Sequence, residues 1–336
     1  MLLLAIGCLV KSSKECSPIV PGEVCAEADS ATPSDSPADS QDSAADSDSQ
    51  EVTWVAELVG KDRHFASIQD AIVDASDGDV VLVQPGTHYE RIDFHGKGIH
   101  ILSAEGAEAT VLDGSGEGSV VEMRAMEPTT AILEGFTITN GEGTEAHGGG
   151  IFIENADGVI QHNVIVGNRA RIGGGVYLRH GAATVRNNLI VDNHAEEGGG
   201  GLTCTNCRGL VTYNTFVGND APNGAFAEWF FEVEGDIVSN IIVHDLEHPP
   251  EFAIRFMEPR GYTFEVVDNL MYPEVPWIEE GLPWGHEWPG DEGTIYADPL
   301  FVDAEGGDYR LQEGSPGEGR GAFAGDYGDW SPSASN

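Results

Sequence analysis

The stretch Asn163-Val164-Ile165-Val166-Gly167-Asn168-Arg169-Ala170 decides the fold, because the chain repeats it. The run Asn188-Leu189-Ile190-Val191-Asp192-Asn193-His194-Ala195 follows 25 residues later, and Asn214-Thr215-Phe216-Val217-Gly218-Asn219-Asp220-Ala221 follows after a further 26. Weaker copies begin at Asn240 and Asn269. A repeat of nearly fixed length indicates a fold that is built from stacked, equivalent units.

Three glycine clusters keep the same spacing, since they begin at Gly148, Gly173 and Gly198. A unit of about 25 residues with three short β-rich segments is too short for a propeller blade, and it lacks the helical spacing of ankyrin or tetratricopeptide units. The repeat therefore predicts an all-β chain that forms a parallel β-helix. Each coil of this solenoid would lay its strands on those of the coil below, about 4.8 Å away.

The asparagines that open each copy are predicted to form one stacked column. Its members are Asn163, Asn188, Asn214, Asn240 and Asn269. Asparagine tolerates the left-handed conformation of a sharp turn between strands, and stacked amides hydrogen-bond along a column. We therefore interpret the column as structural, in preference to a glycosylated or catalytic one.

A short amphipathic helix is predicted upstream of the repeats. Phe65, Ile68, Ile72 and Ala75 recur at spacings of 3, 4 and 3, and the helix would begin near Ser67. The end of a solenoid exposes strand edges that need a cover, so this helix is interpreted as the N-terminal cap.

Composition excludes several classes of protein. The 336 residues include 16 Lys and Arg against 57 Asp and Glu, which gives a formal net charge of -41. With 40% hydrophobic residues the chain can bury a core, and no apolar run approaches the roughly 20 residues of a membrane span. Nucleic acid is not expected as a partner, because such a surface repels phosphates. An anionic polysaccharide would bind only with a screening divalent cation.

The N-terminal region has the layout of an exported protein. The apolar run Met1–Gly7 before Cys8 resembles a bacterial lipoprotein signal with its modified cysteine, although it lacks a basic n-region; the alternative is an unstructured apolar end. Residues 26–51 are rich in Ala, Ser, Asp and Pro and predict a disordered tether. We therefore expect a leader at 1–25, the tether, a β-helix at 52–316 and a tail at 317–336. The protein would be lipid-anchored at the cell surface or outer membrane, or otherwise secreted.

The four cysteines besides Cys8 form two close pairs. Cys16 lies near Cys25, and Cys204 lies near Cys207. In an oxidising compartment each pair can close a small disulfide loop. Metal binding and free thiols stay open as alternatives, but a single CxxC without a second ligand pair is a weak metal signal.

Several segments resemble the right-handed β-helix proteins of the pectin lyase-like superfamily. They are Phe65–Ile72, Gly78–Thr87 and Gly135–Gly141. The segments Asp298–Phe301, Gly307–Leu311 and Gly314–Pro316 are similar to the closing region of bacterial surface β-helix proteins. The resemblance covers roughly residues 62–316 and implies a right-handed solenoid. It implies no particular activity, because the catalytic signatures of pectin methylesterases and polygalacturonases are absent.

One outward face of the solenoid is a candidate carbohydrate site. Aligning the coils by their glycine clusters predicts an outward row of Phe152, Tyr177, Leu202 and Glu228. The row beside it would hold Glu154, Arg179, Cys204 and Phe230, and one further step from Trp229 reaches Arg255. Aromatic, acidic and basic side chains on one face are typical of a sugar-binding groove, in which Phe152, Tyr177 and Trp229 would bind the substrate.

Catalysis is the alternative for this face. By resemblance to β-helix lyases, Arg179 or Arg255 would abstract a proton next to a uronate carboxylate, and Glu154 and Glu228 would hold calcium. The structural interpretation is also open, in which Glu154 and Arg179 form a cross-strand ion pair and Trp229 packs an irregular coil.

Two further segments carry candidate ligand residues. Trp277, Trp284 and Trp288 fall in one long loop, where they would either stack on sugar rings or pack against the solenoid. The cluster His244, Asp245, Glu247 and His248 has metal-ligand residue types, but it falls in a turn after a strand.

From these patterns we expect a monomer that binds a polysaccharide or cell-envelope glycan without catalysis. A polysaccharide lyase or hydrolase is the first alternative, and a structural envelope protein is the second. No cofactor is required by this interpretation, and calcium is the only cofactor that the catalytic alternative would add.

Overall fold

The computed structural model describes residues 54–222, 227–230, 233–245, 250, 253–257, 262–277 and 291–322. The predicted leader and tether, with Cys8, Cys16 and Cys25, lie outside the described residues. Glu247, His248, Trp284, Trp288 and residues 323–336 also lie outside them. Side chains are not described at 144–147, 227–230, 233–234, 255–257 and 262–264.

Three stacked parallel sheets form the predicted β-helix. Along the chain, each coil contributes one strand to sheet I, one to sheet II and one to sheet III before the next coil begins. Sheet I contains Val80–Val83, His100–Ser103, Ile132–Glu134, Val159–Gln161, Thr184–Arg186, Leu210–Thr212, Val233–Val238 and Tyr262–Val267. Sheet II contains Gly86–His88, Thr110–Asp113, Thr137–Thr139, Val164–Val166, Leu189–Val191, Thr215–Val217, Ile241–Val243, Leu270–Tyr272 and Ile295–Tyr296. Sheet III contains Ile92–Asp93, Val121–Met123, Ile151–Glu154, Val176–Gly181, Leu202–Cys207, Ala227–Phe230 and Ile254–Met257.

A small parallel sheet adds a fourth side to the middle coils. Its strands are Glu142–His147, Arg169–Ile172 and His194–Gly198. The last of these carries a bulge, because Ala170 pairs with Ala195 whereas Ile172 pairs with Gly198. One extra residue therefore enters the coil at Glu196–Glu197, which changes the coil step from 25 to 26 residues.

Alternate residues of each strand point into the solenoid and form the core. In sheet II, for example, Ile138, Ile165, Ile190, Phe216 and Ile242 pair in register and are all buried. Short strands with β-branched residues favour this arrangement, since such side chains pack well on a pleated surface. Burial of these stacked rows is the main source of stability of the solenoid.

The predicted asparagine column is present at the turn between sheets I and II. The Nδ2 of Asn163 donates to Oδ1 of Asn188 at 3.2 Å, and the same oxygen accepts the Asn163 backbone N–H at 3.0 Å. The pattern repeats through Asn214, Asn240 and Asn269. All five side chains are buried. The column is therefore a continuous chain of hydrogen bonds along the solenoid.

The prediction that the ladder asparagines themselves adopt the left-handed conformation of the turn is wrong. The left-handed residue of the turn is the one before each ladder asparagine, namely His162, Asn187, Tyr213, Ser239 and Asp268. The ladder asparagine is selected for its amide instead, which bonds both to the next coil and to backbone carbonyls. A second column, which was not predicted, lies after sheet II. Its asparagines also hydrogen-bond from one coil to the next, and they are Asn168, Asn193 and Asn219.

The glycine clusters mark a place where neighbouring coils approach closely. A β-carbon on Gly149 or Gly174 would collide with backbone carbonyl oxygens of the adjacent coil. One glycine of each cluster is left-handed, with a φ of 64° at Gly148 and of 68° at Gly173 and Gly199. Both requirements exclude larger residues, so the clusters are a structural feature of the entry into sheet III.

The predicted capping helix spans Ile68–Asp74 and has Ser67 as its N-cap. The Ser67 hydroxyl accepts the N–H of Asp70 at 3.1 Å, and the Glu90 carboxylate accepts the N–H groups of Ile68 and Gln69. Its apolar face is buried against the first coil. The strands Ala56–Leu58 and Arg63–Phe65 add antiparallel to the edge of sheet I, so helix and strands together cover the end of the solenoid.

The closing region returns along the outside of sheet II. The strands Phe301–Asp303 and Asp308–Leu311 form a hairpin, and the chain then runs over the solenoid. The Arg320 guanidinium contacts the Asp268 carboxylate, the Gly321 N–H donates to Ser239 O, and the Ala322 N–H donates to Thr215 Oγ1. Contacts with the solenoid thus continue to Ala322. Within the described residues no helix is long and apolar enough to cross a membrane.

Candidate functional site

The register of sheet III differs from the predicted one beyond Tyr177. Phe152 pairs with Tyr177 and Glu154 with Arg179, as expected, but Tyr177 then pairs with Thr203 rather than with Leu202. Leu202 and Cys204 consequently point into the core, and both are buried. The bulge at Glu196–Glu197 is the physical cause, because one extra residue moves every following side chain to the other face.

The outward aromatics of sheet III pack against each other. The rings of Phe152 and Tyr177 stack with centroids 5.4 Å apart, and only 7% and 3% of these residues are exposed. The Arg124 guanidinium lies over Phe152 at 5.1 Å, and Tyr177 Oη donates to Thr205 Oγ1 at 3.1 Å. Burial raises the pKa of the Tyr177 phenol. The two ring faces are therefore occupied by protein atoms in this structure.

Glu154 connects two arginines on the same face. Its carboxylate lies 3.1 Å from Arg179 Nη1 and 3.6 Å from Arg124 Nε, and Arg124 also pairs with Glu122 at 3.3 Å. Glu154 and Arg179 therefore form the cross-strand ion pair that the structural interpretation predicted, and Arg124 joins this pair as a second arginine. A guanidinium that is paired with a carboxylate is engaged as a cation, which is the opposite of what a proton-abstracting base requires.

The next coils bring the remaining predicted residues onto sheet III. The backbone register pairs Thr203 with Glu228 and Glu228 with Arg255, while Trp229 pairs with Phe256. Arg255 is therefore in line with Glu228, and the predicted step from Trp229 to Arg255 was wrong by one residue. The side chains of Glu228, Trp229 and Arg255 lie outside the described ones. Within the described residues no group of three or more His, Cys, Asp or Glu is placed to hold a metal ion, so calcium at Glu154 and Glu228 stays a prediction.

Trp277 packs at the C-terminal end of the core. Only 5% of the residue is exposed, and its indole N–H lies 2.9 Å from Tyr296 Oη and 3.2 Å from Asp291 Oδ2. Trp277 therefore packs against the solenoid, which was the second of the two predicted roles. Sugar stacking by Trp284 and Trp288 stays a prediction.

One predicted disulfide is present. Cys204 and Cys207 are joined at the end of their sheet III strand, with Cα atoms 5.7 Å apart, and both are buried. The covalent loop closes four residues around the left-handed turn at Asn206. The pair formed by Cys16 and Cys25 lies outside the described residues.

Sheet I carries a polar network that sequence reasoning missed. Oxygens of Glu134 lie 3.0 Å from His100 Nε2, 3.1 Å from His162 Nδ1 and 2.8 Å from Gln161 Nε2. Arg186 donates twice to Gln161 Oε1. Burial alone would raise the pKa of Glu134, but these hydrogen bonds outweigh burial and hold the pKa well below its usual range. A carboxylate held ionised in this way does not serve as a general acid near neutral pH.

An open groove lies at the corner between sheet II and the small sheet. We call it the Tyr89 groove, and its volume is ≈ 530 Å³. Its wall includes Tyr89, Asp113, Asn140, Glu142 and Arg169. Tyr89 is 73% exposed, and Asn140 Nδ2 donates to Asp113 Oδ2 at 2.8 Å. An exposed aromatic ring beside planar polar side chains offers both stacking and hydrogen bonds to a sugar.

Two charged groups of the Tyr89 groove have no partner among the described residues. Glu142 and Arg169 are adjacent on paired strands of the small sheet, yet neither forms an ion pair or a side-chain hydrogen bond there. Their donors and acceptors are therefore available to a ligand. The sequence held a signal for this groove, since Asn140 and Arg169 are close to the repeated asparagines. Tyr89 lies outside the repeats, and its position at a corner, directly after the strand Gly86–His88, was not predicted.

A second cavity of ≈ 540 Å³ lies further along the same corner, beneath the closing hairpin. We call it the His244 cleft. Asp192, Asp220, His244 and Asp245 contribute to its wall from the solenoid, and Glu305 contributes from the hairpin. His244 is 4% exposed, its Nε2 has no hydrogen-bond partner among the described residues, and burial lowers its pKa to about 4. The imidazole is therefore neutral at physiological pH.

The stacked parallel sheets, asparagine ladders and capped end define a parallel β-solenoid. The chain belongs to the right-handed β-helix family, because the family model described as a right handed beta helix region matches residues 58–229, just over half of the chain. The pectin lyase-like superfamily, to which the sequence pointed, fits this assignment. A comparison with curated protein sequences finds no significant match.

Proposed function

We propose that this protein is an exported, surface-tethered β-helix protein that binds carbohydrate without transforming it, and that the Tyr89 groove is a binding site. The observation that carries the proposal is the 73% exposed Tyr89 ring in a groove lined by Asp113, Asn140, Glu142 and Arg169. Stacking on the apolar face of a sugar ring and hydrogen bonds to its hydroxyls require this combination.

Non-catalytic binding is favoured over catalysis by the state of the charged groups. Arg179 is paired with Glu154, and Glu134 is held ionised by three hydrogen bonds. Neither arrangement supplies a proton acceptor and a proton donor facing each other across a groove, as hydrolysis or elimination demands.

The substitution Tyr89→Ala tests the binding site. Base stacking on an aromatic residue is worth about 1–3 kcal/mol, and the same range for a sugar ring predicts a loss of glycan affinity of about five-fold or more. The measurement is a glycan array followed by calorimetric titration of the best ligand. Tyr213→Ala is the matched control, because Tyr213 is a 41% exposed tyrosine at a different corner. Equal affinity of the Tyr89→Ala variant and the unmodified protein would refute the site.

The tether is tested separately from the site. Two signals support the proposal of surface display, namely the apolar run before Cys8 and the Ser-, Asp- and Ala-rich segment that follows. Metabolic labelling with a fatty-acid analogue should label the protein, and Cys8→Ser should abolish the label when the chain is expressed with a complete bacterial lipoprotein signal. Label that persists in Cys8→Ser would place the lipid elsewhere or reject the anchor.

A further inference from the structure

The Tyr89 groove and the His244 cleft lie on one corner of the solenoid. The residues that follow the sheet II strands stack in register there, in the order Asn140, Gly167, Asp192, Gly218 and His244. Backbone hydrogen bonds join these neighbours, for example from Gly167 N–H to Val191 O at 3.2 Å and from Asp192 N–H to Val217 O at 3.0 Å. Gly167 lines the groove and Asp192 lines the cleft, so the two cavities adjoin at consecutive coils.

A second column of polar residues runs beside the first. Glu142 pairs with Arg169, Arg169 with His194, and His194 with Asp220. His194 Nδ1 lies 2.9 Å from the Asp220 carboxylate. The small sheet therefore borders the corner with one charged or polar side chain per coil, at the regular spacing of a parallel sheet.

The corner is long enough for an extended polymer. Tyr89 follows the sheet II strand Gly86–His88, and His244 follows Ile241–Val243, six coil steps further along. At about 4.8 Å for each step the two residues are separated by ~29 Å along the axis. A single sugar would occupy one cavity, whereas an oligosaccharide would be needed to contact both.

The charges of this corner favour a cationic ligand. The walls of the two cavities contain the carboxylates of Asp113, Glu142, Asp192, Asp220, Asp245 and Glu305. Arg169 is the only guanidinium among the residues that line them. Close to these carboxylates an anionic chain would be repelled and ammonium groups would be attracted.

Asp192 is placed to receive such an ammonium group. Its carboxylate has no partner among the described residues, and desolvation raises its pKa. The side chain lies over Gly218, where a β-carbon would collide with Asp192 Oδ1. Asp192 is an exposed residue, so its carboxylate is accessible to an ammonium group, and a charged hydrogen bond to an ionised carboxylate is stronger than one between neutral groups.

His244 gives an independent indication of a ligand. It lines the cleft, it is more than nine-tenths buried, and its Nε2 has no hydrogen-bond partner in the described part of the chain. A buried polar atom without a partner is costly, and such atoms are rare in folded proteins. Nε2 itself is covered in this structure, so a hydroxyl or amino group of a bound sugar would relieve that cost once the wall of the cleft adjusts to admit it.

We infer that the Tyr89 groove and the His244 cleft form one extended binding track, and that its ligand is a polysaccharide whose sugars carry free amino groups. The inference rests on the proposed function, and it names the ligand class and the second half of the site. Stacking at Tyr89 would hold one end of the chain, and Asp192 and Asp220 would bind ammonium groups further along.

Calorimetric titration with glucosamine oligomers and with the same oligomers in N-acetylated form tests the inference. We expect the glucosamine hexamer to bind about ten-fold more tightly than its N-acetylated form, and the dimer to bind about ten-fold more weakly than the hexamer. Asp192→Asn should reduce the affinity for the glucosamine hexamer about five-fold and leave the N-acetylated dimer unaffected. Glu108→Gln is the control, because it removes one exposed carboxylate outside the track.

The outcomes separate the inference from the proposed function. If Tyr89→Ala weakens binding of both oligomer types but amino groups, chain length and Asp192→Asn have no effect, the carbohydrate site stands and the extended track is wrong. If neither oligomer nor any glycan of the array binds, both are wrong. If spermine binds as tightly as the glucosamine hexamer and Tyr89→Ala changes neither affinity, the corner attracts cations in general and the inference is rejected.

Discussion

Glu134 shows how one residue can combine burial with charge. Its carboxylate accepts hydrogen bonds from two histidines and a glutamine on the outer face of sheet I. These bonds favour the ionised form more than burial disfavours it, so the pKa of the folded state is lower than that of the unfolded chain. Glu134 therefore stabilises the fold as an anion, and its contribution depends on pH.

Replacing Glu134 by Gln should lower the free energy of unfolding by about 1–3 kcal/mol at neutral pH, because the charged hydrogen bonds are lost. A depressed folded-state pKa contributes stability above the unfolded pKa, near 4.3, and loses it as the pH falls further. The difference in the free energy of unfolding between the unmodified protein and the Glu134→Gln variant should thus be constant above about pH 6 and shrink below about pH 4.5. Urea unfolding at several pH values measures it, with Glu108→Gln as the control. A difference that grows on acidification would contradict the assignment.

Residues that act locally were the most predictable from sequence. The Asn163 column and the Ser67 helix start were recognisable because a periodic residue or an N-cap signals its own role. The register of sheet III after Tyr177 was not predicted correctly. The 26-residue step from Asn188 to Asn214 indicates one extra residue, but no local pattern shows that this residue enters at Glu196–Glu197, before the sheet III strand. The Tyr89 groove was missed for a related reason, since it unites residues from four coils that are distant in sequence.

The asparagine columns are the elements that join one coil to the next. Each buried amide of the column led by Asn163 bonds to the adjacent asparagine and to backbone carbonyls of two coils. Because a solenoid coil contacts only its neighbours, these bonds fix the spacing and register of the sheets on both sides of the turn. Loss of one amide would leave several buried carbonyl groups without donors.

Asn188→Ala should therefore lower the free energy of unfolding by about 2–4 kcal/mol, since a buried network is interrupted and a small cavity is left. Asn188 Nδ2 donates at 2.9 Å to Ile160 O and at 3.0 Å to Asn214 Oδ1, and both bonds disappear. Asn155→Gly is a suitable control, because Asn155 is an exposed asparagine with a φ of 54° that glycine adopts without cost. Chemical unfolding of both variants measures the effect. A loss below about 0.5 kcal/mol for Asn188→Ala would show that the column is not a stabilising element.

The whole molecule carries a formal net charge of -41, and this charge opposes compaction. Exposed carboxylates repel one another over distances that salt controls, since the Debye length falls from about 30 Å at 0.01 M to about 8 Å at 0.15 M. The folded chain is therefore expected to be more stable in salt, whereas many proteins with balanced charge respond little.

Raising sodium chloride from about 0.01 M to about 0.15 M should increase the melting temperature by several degrees at pH 7, because repulsion is screened. The same change near pH 4 should have a smaller effect, since part of the carboxylates is protonated there. Differential scanning calorimetry at both pH values provides the comparison. A melting temperature that falls with salt at pH 7 would mean that attractive ion pairs such as Glu154–Arg179 outweigh the net repulsion.

The head-to-tail direction of the asparagine ladder also has an evolutionary consequence. Each ladder asparagine from Asn163 to Asn240 accepts from the preceding coil and donates to the asparagine of the following one, so the ends of these coils are interchangeable with those of their neighbours. Recombination that removes residues 164–188 would place Asn163 where Asn188 had been, with Leu189 directly after it. A duplication of the same residues would insert an equivalent coil. Unequal crossing-over could thus lengthen or shorten the corner that contains the Tyr89 groove by about 4.8 Å at a time, while every coil keeps a compatible neighbour.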